Sequence, residues 1–99
     1  MFIINFNFIK PVEEVNNFTE LHREYVSKQY KNGIFTLGGP KDPRNGGIVI
    51  ANSNSEKELC EILDKDPLII EKVAEYSLTK FTPLLSTTNL KFLLSESKQ

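Results

Sequence analysis

Tryptophan is absent from this chain of 99 residues, and cysteine, histidine and methionine occur once each. A single thiol, Cys60, has no partner for an internal disulfide, so a reducing compartment is expected and the cytoplasm is the natural assignment. Cysteine and histidine together offer two metal ligands where a structural zinc site needs about four. The one acidic cluster, Asp64-Lys65-Asp66, reads as a solvated helix end, and no metal site is expected. There is no basic surplus either. Twelve Lys and Arg stand against thirteen Asp and Glu, a net charge of −1, which excludes the positive field that nucleic acid or an anionic membrane would need. No apolar run approaches the ~20 residues of a membrane span. The apolar start, MFIINFNFIK, lacks a basic lead and a small-residue cleavage pattern, so it reads as a strand and not as a signal peptide.

What is present is a regular alternation of patterns. Phe2, Ile4, Phe6 and Phe8 share one face of a first strand, with Ile3, Asn5, Asn7 and Ile9 on the other. Pro11, Glu13 and Glu14 suit a helix start and Lys31-Asn32-Gly33 a helix end. Between them Val15, Phe18, Leu21, His22, Tyr25 and Val26 recur at helical spacing, which predicts one long amphipathic helix over 12–32. Residues 34–39, IFTLGG, form a second strand. The turn-rich PKDPRNG leads into a third, GIVIAN. Ser55 and Glu58 make a capping box for a helix over EKELCEILD. Asp66 precedes a proline and must leave the helical region. After a short turn, VAEYSLTKFT is a fourth strand.

The order β-α-β-β-α-β predicts an α+β, ferredoxin-like fold: a four-stranded antiparallel sheet with two helices on one face. The other face would carry polar Asn5, Asn7, Glu75, Ser77 and Thr79 beside apolar Ile3, Ile9, Val73 and Phe81. A half-apolar face of this kind is most simply covered by a second copy, so a sheet-to-sheet homodimer is expected. The domain is placed at 1–83, with 84–99 as a tail. In that tail Leu90, Leu93 and Leu94 fit a short helix started by Thr87 or Thr88, and the last five residues are expected to fray.

Few side chains carry chemistry. His22 lies on the apolar stripe of its helix. An imidazole exchanges protons near neutral pH, so the ring serves either packing or proton transfer. The segment GGPKDPRNGG is not a phosphate loop, because it joins two strands and lacks the lysine-Ser/Thr ending. Within it Gly38, Gly39 and Pro40 can shape a pocket mouth, and Arg44 can clamp an anionic ligand. Tyr25, Tyr30 and Tyr76 read as amphipathic packing residues, and Cys60 as a small half-buried hydrophobe.

Three stretches, PVEEVNNFTELHREYVSKQYKNGIF, GGPKDPRNGGIVIA and LDKDPLIIEKVAEYSLTKFTP, together resemble the YciI-like (YCII-related) family over residues 1–83. The resemblance implies a dimeric α+β barrel related to muconolactone isomerase-like enzymes. It also implies that His22 and Asp66 form a catalytic pair, since they occupy the positions of the family's helix histidine and Asp-Pro aspartate. Leu68 stands where the family motif has an aromatic, which alters the lining of the pocket. One geometric demand follows. His22 lies ten residues into the expected helix, ~15 Å along its axis, so the Asp66 turn must dip inward to meet it.

Three functions fit these residues. The first is acid/base catalysis without a cofactor on a small anionic or carbonyl-bearing metabolite. The second is binding of such a molecule without conversion. The third is assembly alone, which expects no pocket beside His22.

Overall fold

A computed structural model describes residues 1–95 of the chain. Strand β1, Phe2–Phe8, lies in the interior of the sheet, and its even-numbered side chains Phe2, Ile4 and Phe6 are buried. β2 spans Phe35–Pro40, β3 Gly46–Ala51 and β4 Ala74–Lys80, and the sheet order is β2-β3-β1-β4. Every neighbouring pair is antiparallel. In that register Ala51 and Val49 lie beside Phe2 and Ile4, while Leu78 and Tyr76 flank Ile4 and Phe6 on the other side. One sheet face is thus continuously apolar and helix-covered, as the alternation requires.

The segment between β1 and β2 departs from the single helix expected. It is broken into α1, Val12–Val15, and α2, Thr19–Lys31. At the break Asn17 and Phe18 donate their N–H groups to Glu14 and Val15, three residues back, and Phe18 leaves helical geometry. Asn16 and Asn17 favour such a break, because short amide side chains compete with the helical ladder. The apolar stripe shifts with it: Val15 is buried and Phe18, Tyr25 and Val26 are half-buried, but Leu21 is 55% exposed. The C-terminus of α2 closes as expected. Gly33 takes φ +78°, and Gly33 and Ile34 donate to the carbonyls of Tyr30 and Gln29.

α3 spans Glu56–Leu63, and the Ser55 side chain accepts the Glu58 N–H at 3.1 Å, the cap that the sequence pattern foretells. Asp66 is extended at φ −66°, ψ 131°, as its following proline demands. The residues after it are not a plain turn, however. Pro67–Ile70 form a one-turn helix, α4, capped by Asp66 itself. Lys72 then adopts φ +59°, and Val73 is buried instead of lying on the open sheet face, where the alternation had put it.

The core has two parts. Phe2, Ile4, Phe6, Phe35, Val49, Ala51, Leu59 and Leu63 form the larger. Val15, Leu68, Val73 and Ala74 form a smaller one at the α1–α4 end. Beyond β4 the chain enters a six-residue 3₁₀ helix, Thr88–Leu93, preceded by Thr87. Ser95 donates its N–H to the Pro83 carbonyl. The remaining residues for which fraying is expected, 96–99, lie outside the described part. Among the described residues no helix is long and apolar enough to cross a membrane.

Candidate active site

Breaking the helix puts His22 in the first turn of α2, as its fourth residue. Capping α4 puts Asp66 at the point where that helix turns toward α2. The two meet: His22 Nδ1 is 2.8 Å from both Oδ1 and Oδ2 of Asp66. The turn therefore does come inward, and the helix break reduces how far it must reach.

Asp66 is 1% exposed and the His22 side chain 22%. Asp66 Oδ1 also accepts the Leu68 N–H at 2.9 Å, so the carboxylate is fixed by the α4 backbone before it meets the ring. A carboxylate only accepts hydrogen bonds, which makes Nδ1 the protonated donor and leaves the Nε2 lone pair free in the neutral ring. No other described residue bonds Nε2. The edge of the ring packs against Phe6, centroid to centroid 6.2 Å.

His22 lines a cleft of about 270 Å³ between α2 and strands β1, β3 and β2. Phe6, Phe8, Val15, Val26, Val49 and Leu68 supply its apolar walls. Gly38, Gly39 and Pro40 of β2 line it too, with Gly46 and Gly47 of β3, so one side is nearly bare backbone. Arg44 reaches it from the β2–β3 hairpin. Its Nη1 donates to Asn16 Oδ1 at 3.1 Å, and its guanidinium lies 5.4 Å from the Phe8 ring centroid. Five of the six site residues expected from sequence thus share one cleft, and the sixth, Asp66, stands behind the ring.

Sequence reasoning missed Arg23 and Tyr30, which also line the cleft. Tyr30 falls eight residues after His22, with Val26 between at four, so helical spacing held the signal. Neither Arg23 nor Arg44 has a carboxylate within ion-pair range; among the described residues His22–Asp66 is the one such pair. In a chain of net charge −1, the cleft carries two guanidinium groups with no carboxylate partner among the described residues.

The other tyrosines are occupied elsewhere. Tyr25 donates to the Ile62 carbonyl at 2.7 Å, linking α2 to α3. Tyr76 donates to Asp64 Oδ1 at 2.7 Å. Burial raises all three phenols above their usual pKa; the Asp66 charge adds to this at Tyr25, and the Asp64 and Cys60 side chains add to it at Tyr76. Cys60 is half-buried, as expected. No group of three or more Cys, His, Asp or Glu among the described residues is placed to hold a metal ion.

The fold and the cleft define a small ferredoxin-like α+β domain whose cleft carries His22, backed by Asp66, between apolar walls and two arginines. The chain belongs to the YCII-related domain family, whose sequence pattern it matches over residues 1–82. No curated protein matches it closely enough to name. Among solved structures it is similar to 5-chloro-2-hydroxyhydroquinone dehydrochlorinase (TftG) from Burkholderia phenoliruptrix AC1100, in complex with 2,5-dihydroxybenzoquinone. That likeness has a TM-score of 0.69 at 14% identity and covers 85% of this chain and 96% of the other. At that identity the likeness establishes a shared fold.

Proposed function

We propose that this protein is an enzyme that moves a proton on a small, planar, acidic or carbonyl-bearing molecule. His22 Nε2 takes the proton and returns it, and Asp66 holds the ring and stabilises the imidazolium that forms. Arg44 and Arg23 bind acidic oxygens, while Gly38, Gly39 and Pro40 let a flat ring lie close to the backbone. The observation that carries this reading is the imidazole itself. One nitrogen is held by a buried carboxylate, while the ring lines an enterable cleft. The proposed step needs no cofactor, because imidazole and solvent supply and accept the proton. A fold relative acting on a chlorinated hydroxyhydroquinone supports the substrate class. We place the protein in the cytoplasm on the ground of its single thiol, Cys60.

The test uses 2,5-dihydroxybenzoquinone in D₂O, with loss of its ring C–H signals followed by proton NMR. In this exchange Nε2, deuterated from solvent, delivers a deuteron to the enolate carbon of the ring to give a saturated CHD centre, and the freed Nε2 then takes the original proton from that carbon and restores the enolate. The protein should accelerate exchange, and His22→Ala should remove ~10²–10⁴ of that acceleration, the usual worth of a positioned base. A folded His22→Ala protein exchanging at the full rate would end the proposal.

Binding without conversion is the second reading, and the two cleft arginines support it equally. It expects a compound that raises the melting temperature, is recovered unchanged and shows no exchange. Assembly as the sole role required no pocket beside His22, and the cleft there counts against it.

We also propose that residues 1–83 are the folding unit and that two copies pair through the open sheet face. Leu37 is 65% and Ile48 38% exposed on that face, beside half-buried Ile3 and Ile50. Leu37→Asp combined with Ile48→Asp should convert a dimer to a monomer in sedimentation. A wild-type chain that sediments as a monomer would refute the pairing.

A further inference from the structure

Of the three tyrosines, Tyr30 alone lacks a hydrogen-bond partner for its hydroxyl among the described residues, and it alone lines the cleft. A half-buried phenol usually finds a partner, because desolvating the hydroxyl without one is unfavourable. Its ring is fixed by an edge-on contact with Phe35 at 5.6 Å, which holds the hydroxyl at the cleft wall. Side chains on a helix lean toward its N-terminus, which tilts Tyr30 toward His22. The strand opposite makes room for it. A Cβ placed on Gly38 would stand 2.5 Å from Tyr30 Oη and 2.7 Å from the Ile48 carbonyl oxygen. Any other residue at position 38 would collide with the hydroxyl or displace it.

We propose that Tyr30 is a specificity-determining ligand contact, whose hydroxyl donates a hydrogen bond to an oxygen on the far end of the bound molecule, and that Gly38 is the notch that admits it. The inference rests on the proposed function and deepens it: the ligand carries oxygens at both ends. An acidic group lies at the arginine end, and a hydroxyl or carbonyl oxygen faces Tyr30. Burial keeps the phenol protonated well beyond neutral pH, so it stays a donor throughout the working range. His22 and Tyr30 are eight residues apart, ~12 Å along the α2 axis.

The test compares 4-hydroxybenzoate with benzoate, which share the carboxylate and differ in the distal hydroxyl. Wild type, Tyr30→Phe, Gly38→Ala and Arg44→Ala are each titrated with both. Wild type should prefer 4-hydroxybenzoate by about tenfold, in the range of one neutral hydrogen bond. Tyr30→Phe, which keeps the ring and its packing on Phe35, should bring that preference close to one while leaving benzoate binding unchanged. Gly38→Ala, whose Cβ would meet the Ile48 carbonyl oxygen as well as the hydroxyl, should lower the preference and weaken both ligands. Arg44→Ala should weaken both ligands alike and keep the preference. A preference that survives in Tyr30→Phe would overturn the inference while leaving the arginine cleft intact. Failure of wild type to bind either acid at millimolar concentration would overturn this inference. Exchange on 2,5-dihydroxybenzoquinone, which does not depend on these acids, would then decide separately whether the proposed function stands.

Discussion

Asp64 and Asp66 are two residues apart, yet they sit in opposite environments. Asp64 ends α3, is exposed, and accepts the Tyr76 hydroxyl at the surface. Asp66 begins α4, is 1% exposed, and accepts both the His22 ring and the Leu68 N–H. The difference comes from the backbone that follows each of them. Pro67 forces Asp66 into an extended conformation, which turns its side chain inward to cap a new helix, whereas Asp64 remains on the last turn of the old one. A carboxylate at a helix N-terminus is favoured by the dipole and one at a C-terminus is not. Position relative to two helix ends, more than residue type, made one of them a structural acceptor facing the candidate site and left the other a surface contact.

Substitution should separate the two sharply. Asp66→Ala removes a cap and leaves the His22 ring without its partner. Breaking a buried pair costs ~3–5 kcal/mol, and the partial exposure of His22 puts the expected loss near ~3 kcal/mol. For a domain of this size that lowers the melting temperature by roughly 12 °C or more. Asp66→Asn keeps a good capping residue and should cost less stability, yet still slow proton exchange on the ligand. Asp64→Ala gives up one exposed hydrogen bond and should cost under ~1 kcal/mol in denaturant unfolding, with exchange unchanged. Comparable losses at the two positions would mean that the environments do not differ as described.

A smaller effect concerns the phenols facing these carboxylates. All three tyrosines have raised pKa values in the folded chain. The unfolded chain therefore gives up its phenolic protons first, near the ordinary value of 10. The associated stability is fully present below pH 10 and is lost as the pH climbs toward the folded values. In a spectrophotometric titration of the native protein, no phenol should ionise at its ordinary pH. Asp64→Ala should move Tyr76 back toward that range and leave Tyr25 and Tyr30 where they were. Three phenols titrating normally in the native state would contradict the burial described.

Much of the fold was legible because it rests on local chemistry. Strand alternation in residues 2–8, the Ser55–Glu58 cap, the Gly33 helix end and the extended Asp66 all depend on neighbours in sequence. The break at Asn16–Phe18 was not read, although its asparagines were in view, because a helical stripe of apolar residues spans it without a gap. The break turns Leu21 outward and shortens the reach that the Asp66 turn needs to meet His22. The one-turn α4 escapes sequence reading because four residues carry no periodicity, and Val73 falls on the wrong side when alternation is extended back past the start of β4. Tyr30 was read as packing, which is half right. Its ring does pack on Phe35, and only the tertiary placement of Gly38 reveals the space left beside its hydroxyl.

Because the chain has one histidine, nitrogen NMR of ¹⁵N-histidine-labelled protein reports on His22 alone. A proton held on Nδ1 by the Asp66 carboxylate is expected, with a shift at Nε2 when 2,5-dihydroxybenzoquinone is added. Two ring nitrogens averaged as in free imidazole, with neither responding to the ligand, would contradict it.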